Sequence, residues 1–204
     1  KTVGRPSPGP GTGSRPGRED ETMFVRTERL LLRPGWSQDA PALLEAIGDE
    51  RIVRNLATAP WPYRREDAEA WLGTERKASE LSPLVFLCTG SAPELIGAIG
   101  LGRRPCGEME FGYWIARAHW GRGYATEAGR AMIETARHGL RLKKLDAGHF
   151  LDNPASGRVL EKLGFRPTGK IVPYYSAGRG ESAPCRLFRL DFEGAETAPE
   201  AMAA

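Results

Sequence analysis

The chain has 204 residues, 40% of them hydrophobic and 27% charged, with a formal net charge of +3. That is enough apolar material for one buried core, and too little net charge to imply a nucleic-acid partner. No apolar run reaches the ~18 residues of a membrane-spanning helix, and the N-terminus lacks the apolar stretch of a signal peptide. A cytoplasmic location without a membrane partner is therefore expected.

Cys88, Cys106 and Cys185 are odd in number, far apart and free of any CxxC pair. They argue against a disulfide framework and for a reducing interior. His119, His138 and His149 lack ligand spacing, so no metal is expected.

Residues 1–22 stand apart, because nine of the first eighteen are Gly or Pro. Such a segment cannot bury enough surface to offset its ordering entropy, and it reads as a disordered tail or an appended remnant. A single domain is expected over 23–193, with a frayed tail at 194–204. Within the domain, TERLLLRP reads as a strand stopped by Pro34 and Gly35. Ser37 is the expected N-cap of a helix through Ala46 or Ile47, and a short helical piece follows at Glu50–Leu56. Pro60 and Pro62 break regular structure. The next helix is expected over Arg65–Ser79.

The hydrophobic period then changes. PLVFLCTG and ELIGAIGLG predict a hairpin. In EMEFGYWIA, Met109, Phe111, Tyr113 and Ile115 alternate with Glu108, Glu110, Gly112 and Trp114, which is a strand with two distinct faces. A long helix is expected from Tyr124 to about Leu140, then a strand (KLDAGHFL) and a helix over Pro154–Leu163 closed by Gly164. Two last strands lie near Phe165–Val172 and Cys185–Phe192, joined by YYSAGRGES as a glycine-rich, mobile cover. This order predicts a mixed α/β fold with an antiparallel meander entering a βαβ crossover.

The segment YWIARAHWGRGYATEAGRAM places Gly121, Arg122 and Gly123 between a strand and a helix. The free N–H groups of the helix's first turn, with its macrodipole, form an anion site suited to a diphosphate. Arg122 would add a charge-assisted contact. A plain strand-to-helix turn explains the same pattern. No GxGxxG and no GK[ST] is present, so dinucleotide and Walker sites are excluded. DNPASGRVLEKLGF reads as an ordinary helix with Asn153 as cap.

Taken together, WGRGYATEA and NPASGRVLEKLGF resemble the GNAT superfamily of N-acetyltransferases, and within it the RimJ/RimL-like branch that acetylates ribosomal-protein N-termini. TERLLLRP and the element order agree, and the likeness extends from Arg26 to Phe192. The resemblance implies a mostly antiparallel seven-stranded sheet with a splayed parallel pair and about four helices. It implies acetyl-CoA as co-substrate, an amine acceptor, and pairing into a homodimer. It implies that the amides of Trp120, Gly121, Arg122, Gly123, Tyr124, Ala125 and Thr126 hold the diphosphate. The backbone of Trp114, Ile115, Ala116 and Arg117 would pair with the pantetheine arm, and Asn153, Ser156 and Lys162 would lie along it. Two positions depart from the family pattern. Ala118 replaces the usual Gln or Arg three residues before the first glycine, and Leu160 stands where many members have a tyrosine acid, which leaves Ser156 or a water for that role.

Direct acetyl transfer needs a neutral amine, so a base is expected on the splayed strand. Glu110 is the candidate and Glu108 the neighbouring alternative, while Glu127 suits the helix dipole. Trp61, Tyr63, Tyr174 and Tyr175 are candidate lining aromatics of an acceptor site spanning Asp49–Tyr63 and Pro173–Pro184. The acceptor class stays open among a protein N-terminus, a small-molecule amine, or none in a non-catalytic acyl-CoA sensor.

Overall fold

The computed structural model describes residues 24–77, 79–104 and 107–192. The tails expected at 1–22 and 194–204 lie outside the described residues, as do Met23 and Cys106. Eight strands form one sheet in the order β1-β2-β3-β4-β5-β6-β8-β7. They are β1 (Val25–Arg26), β2 (Leu30–Arg33), β3 (Leu84–Leu87), β4 (Glu94–Arg103), β5 (Met109–Ile115), β6 (Lys144–Phe150), β7 (Arg166–Ser176) and β8 (Glu181–Asp191). Every pairing is antiparallel except β5 with β6. The sheet thus has one strand more than the expected seven; β1 is only two residues long and carries no periodic signal.

Five α-helices are described: α1 (Ala40–Ile47), α2 (Glu50–Val53), α3 (Arg65–Leu72), α4 (Tyr124–Glu134) and α5 (Pro154–Lys162). On one face of the sheet, Ala128 and Met132 of α4 and Leu160 of α5 pack with Leu30, Leu32, Val85, Phe111, Leu145, Ala147 and Phe188. On the other, Ala40 and Leu43 of α1 and Ala68 of α3 pack with Leu84, Phe86, Leu95 and Ala98. Strand alternation is what sends neighbouring residues such as Val85 and Phe86 to opposite cores.

Three boundaries differ from expectation. α3 stops at Leu72 rather than Ser79, because Gly73 caps it and Thr74 Oγ1 and Arg76 Nη2 take up the carbonyls of Ala70 and Trp71 at 2.9 Å each. The regular turns of α4 end at Glu134, and the predicted last turn is a π turn closed by Leu140 N–H on Thr135 O at 3.0 Å. The tyrosines of YYSAGRGES lie within β7 and its final Glu-Ser opens β8, leaving a turn at 177–180. That hairpin tip is held down. Ser176 Oγ donates to Leu56 O at 2.8 Å, Ala177 N–H to Ala57 O at 2.9 Å, and Arg179 Nε to Arg54 O at 2.7 Å.

Ser37 makes no capping bond and sits in a 3-10 turn. The organising acid is Asp39, which is 7% exposed. Its carboxylate takes Arg33 Nη1 and Nη2 and the Trp36 N–H, each at 2.8 Å. The Arg33 guanidinium lies 4.0 Å from the ring centroids of both Trp36 and Phe86. Burial alone would raise the Asp39 carboxyl; the Arg33 hydrogen bonds, the Trp36 N–H and the Arg33 charge outweigh it and hold the group below its ordinary value. Removing one partner of a buried pair strands the other, so Asp39→Ala is expected to cost about 3–5 kcal/mol in urea unfolding. Because the folded value is depressed, this stability is full above about pH 3.9 and lost as pH falls through the folded value. A loss under about 1 kcal/mol would show that Arg33 finds water instead.

Candidate active site

The β5–β6 ladder has only two residue pairs, Glu110↔Asp146 and Phe111↔Ala147. Beyond Phe111 the strands part. β5 stays on β4 as far as Ile115↔Gly97, and β6 stays on β8 as far as Phe150↔Cys185. At the β4 end, a Cβ on Gly97 would collide with the Trp114 carbonyl, so glycine permits the close approach. The wedge between the strands belongs to one cleft of about 1000 Å³ that reaches from α3 to α5.

Alternation decides which backbone groups face the wedge. Ile99 and Leu101 donate away from β5, to Pro83 and Leu81 at 3.1 and 2.7 Å. The even-numbered residues of β4 therefore serve β5, and the amides of Tyr113 and Ile115 point into the gap. Ala116 N–H is committed to Ile96 O at 2.7 Å. The Ile115 carbonyl accepts Trp120 Nε1 at 2.6 Å. Across the wedge, Phe150 O accepts the Asn153 N–H at 2.8 Å, with His149 Nδ1 also at 2.8 Å.

At the mouth, Gly121 and Gly123 have φ of 74° and 82°. A side chain at either would be strained by roughly 1–2 kcal/mol. The N–H groups of Tyr124, Ala125 and Thr126 have no acceptor among the described residues. This is an anion cradle. Its brace is Glu127, which accepts from Thr27 Oγ1 at 2.6 Å, Arg29 N–H at 2.9 Å and Arg29 Nε at 2.7 Å. Arg29 in turn donates to Arg122 O at 3.2 Å and lies 4.6 Å from the Tyr124 ring centroid.

The sheet's two faces carry different groups into the cleft. On the α5 side, Tyr113 O–H donates to Ser156 Oγ at 3.0 Å, and burial pushes the phenol up to about 12. Ser156 sits in the first turn of α5, where Asn153 Oδ1 accepts its N–H at 3.3 Å. On the α1–α3 side, Glu110 Oε2 accepts Tyr174 O–H at 2.9 Å, and Oε1 lies 3.4 Å from Arg104 Nε. Burial, reinforced by the Glu110 charge, raises Tyr174 to about 12.

Of the residues anticipated from sequence, Glu110, Trp114, Ile115, Trp120, Gly121, Gly123, Tyr124, Ala125, Thr126, Asn153, Ser156 and Lys162 line the cleft. Ala116, Arg117 and Arg122 are not among its lining residues. Arg117 pairs at 3.6 Å with Asp49, and Arg122 contributes its carbonyl to Arg29. Glu108 is also outside the lining and bonded to Lys144 Nζ at 3.1 Å. Tyr63 and Tyr174 line the cleft; Trp61 and Tyr175 are exposed and do not. Sequence reasoning missed the Tyr113 hydroxyl and Arg104. Period-two alternation put Tyr113 opposite Glu110, but its contact with a helix 43 residues later has no local signature.

The acetyltransferase (GNAT) domain profile matches residues 29–166. The chain is 28% identical over 177 residues to the uncharacterized N-acetyltransferase p20 of Bacillus licheniformis, covering 83% of this chain and 96% of that protein. A GNAT-family acetyltransferase from Bacillus anthracis superposes with a TM-score of 0.71 at 24% identity, over 83% of this chain and 98% of that one. RimL, a ribosomal alpha-N-protein acetyltransferase solved in complex with coenzyme A, gives 0.65 at 18% identity, over 83% and 98%. No helix among the described residues is long and apolar enough to cross a membrane, and they contain no group of side chains able to hold a metal ion.

The cradle generates a test of its own. Burial raises the Glu127 carboxyl, but bonds from Thr27 and Arg29 outweigh this and lower it. Glu127→Gln should cost roughly 1–3 kcal/mol and quicken hydrogen exchange at the amides of 121–126. Unchanged exchange there would show that the loop holds its shape without this brace.

Proposed function

The chain belongs to the GNAT acetyltransferase family and is an N-acetyltransferase; from that premise we propose that it takes acetyl from acetyl-CoA and passes it by direct attack to the α-amine of a protein N-terminus, as a RimJ/RimL-like member. The observation that carries this reading is the single cleft through the wedge, with Ser156 on one face of the sheet and Glu110 on the other.

The residues present fit acetyl-CoA. The diphosphate would take the unclaimed amides of the cradle, chiefly Tyr124, Ala125 and Thr126. The pantetheine amides would pair with Tyr113 and Ile115 as an added strand would, since Ala116 N–H is already committed. Asn153 caps α5 through Oδ1 and keeps its NH₂ for the arm. Lys162, on the same helix, lines the cleft beyond it. Bound acetyl-CoA supplies a thioester carbonyl already activated toward amines. The chain's own residues orient the acceptor, polarise that carbonyl and remove a proton.

Glu110 would take the amine proton. Both its oxygens are engaged, but each retains a second lone pair, enough for one more hydrogen bond from the amine or a water. Tyr174 and Arg104 fix its direction. Next to it, a Cβ on Gly112 would meet nothing within 4 Å, so the strand leaves an open floor where the acceptor can approach. An α-amine titrates near about 7.8 and a lysine near about 10.4. At neutral pH roughly a tenth of α-amines are neutral, against well under a thousandth of lysines. A site whose base is a tethered carboxylate suits the former.

Acetyl-CoA with a panel of peptides and small amines, read out as released free CoA, tests the proposal. Peptides with a free α-amine should turn over, while the same peptides N-blocked but carrying lysine should not. Turnover of small amines alone would overturn the protein acceptor. Glu110→Gln is expected to lower kcat about a hundredfold while leaving acetyl-CoA affinity intact; an undiminished rate would remove Glu110 from the chemistry.

A further inference from the structure

We propose that Tyr113 is a positioning residue for the departing thiol: its phenol donates to Ser156 Oγ and thereby turns the Ser156 hydroxyl toward the sulfur as a hydrogen-bond donor. This rests on the acetyl-CoA reading and adds a group to it that neither the cradle nor the base requires.

The geometry carries it. Tyr113 is on β5 beside the wedge, Ser156 is in the first turn of α5, and both line the cleft. Their oxygens are 3.0 Å apart. The phenol has no other hydrogen-bond partner among the described residues. Among the described residues this half-buried phenol has one acceptor, Ser156 Oγ, and its O–H donates there. Ser156 has a single hydroxyl proton. With a lone pair filled by Tyr113, that proton is free to point into the cleft. A hydroxyl that accepts one bond is polarised and donates a stronger second one.

Magnitudes separate two roles for the pair. When the amine nitrogen bonds to the carbonyl carbon and the C–S bond breaks, the electron pair leaves on sulfur as a thiolate. The amine's proton goes to the base and thence to water. An alkyl thiol titrates near about 8.5, whereas the Tyr113 phenol is raised to about 12. At equilibrium a proton does not pass from the weaker acid to the thiolate. The pair therefore stabilises the thiolate by hydrogen bonding, and the proton that completes CoA–SH comes from water.

A binding experiment reads this without turnover. The affinities of CoA and of acetyl-CoA for the full chain are measured between about pH 6 and pH 10, and their ratio is followed, so that titrations of the protein common to both ligands cancel. If the bound thiol is lowered by about one unit, the ratio should shift toward CoA by close to tenfold over this range. Tyr113→Phe should cut the gain to about threefold, Ser156→Ala should abolish it, and Ser156→Thr should keep it. Acetyl-CoA, which has no thiol, reports whether each variant still holds the cofactor. In turnover, Tyr113→Phe should lower kcat by no more than about threefold at unchanged KM for acetyl-CoA, the same share that it removes from the affinity ratio and within the range of one ordinary hydrogen bond, and should add nothing to Ser156→Ala. A flat ratio in the wild type, or an equal gain in Tyr113→Phe, would overturn the proposal. Failure of the wild type to bind CoA at all would bring down the cofactor reading itself and this inference with it.

Discussion

Everything at this site depends on a ladder that ends early. β5 and β6 exchange bonds over two residue pairs and then separate, while each keeps seven pairs with its outer neighbour. The outer ladders hold the diverging ends apart. Backbone amides exposed by such a split cannot be left dry, because each unmet group costs about 1–3 kcal/mol. The chain answers in two ways. It caps some groups from within, as Trp120 does for the Ile115 carbonyl and Asn153 for that of Phe150. It leaves the amides of Tyr113 and Ile115 facing an open cleft, where water or an extended ligand can meet them.

The same strand imposes a division of labour. Because successive side chains alternate, Glu110 and Tyr113 cannot share a face. The proposed base, Glu110, and the proposed donor pair, Tyr113 and Ser156, are thus on opposite faces of the sheet. The wedge alone connects them. The β7–β8 hairpin extends this order to the acceptor side. Tyr174 reaches Glu110 from β7, and the same hairpin's tip is bonded to the segment after α2 through Ser176 and Arg179. The direction of Glu110 is therefore coupled to the loop that borders the acceptor cleft.

Much of this was legible in the residues. Alternation in EMEFGYWIA announced the two faces, and Gly121 and Gly123 before a periodic helix announced the cradle. Asn153 and Pro154 marked the start of α5. What escaped had physical causes. β1 is too short to show a period. Pro173 and the glycines of the hairpin mimic a loop, because β7 is at the sheet's edge and such a strand tolerates proline, while Pro184 stands on β8 one residue beyond its last pair with β6. Ser37 has the right chemistry for a cap, yet Asp39 displaces it by offering a full carboxylate to a buried arginine. Tyr174, the hydroxyl partner of Glu110, and Tyr113, that of Ser156, come from 64 and 43 residues away, beyond the reach of any local pattern.

Leu160 bears on the proposed role of the Tyr113–Ser156 pair. Where the family resemblance expects a tyrosine acid, this chain has a leucine that is 1% exposed and packed with Phe111, Leu145 and Ala147. Leu160 also lines the cleft, so its side chain borders both that packing and the site. The position carries an apolar side chain, and the phenol beside the wedge comes from β5. That phenol meets a serine one turn earlier on the same helix, which puts the proposed donor on the α5 side of the wedge. That arrangement needs a tyrosine on the odd-numbered face of β5 and a serine in the first turn of α5, and both are present. The missing helix tyrosine thus agrees with the proposed placing of the donor on the Tyr113–Ser156 pair.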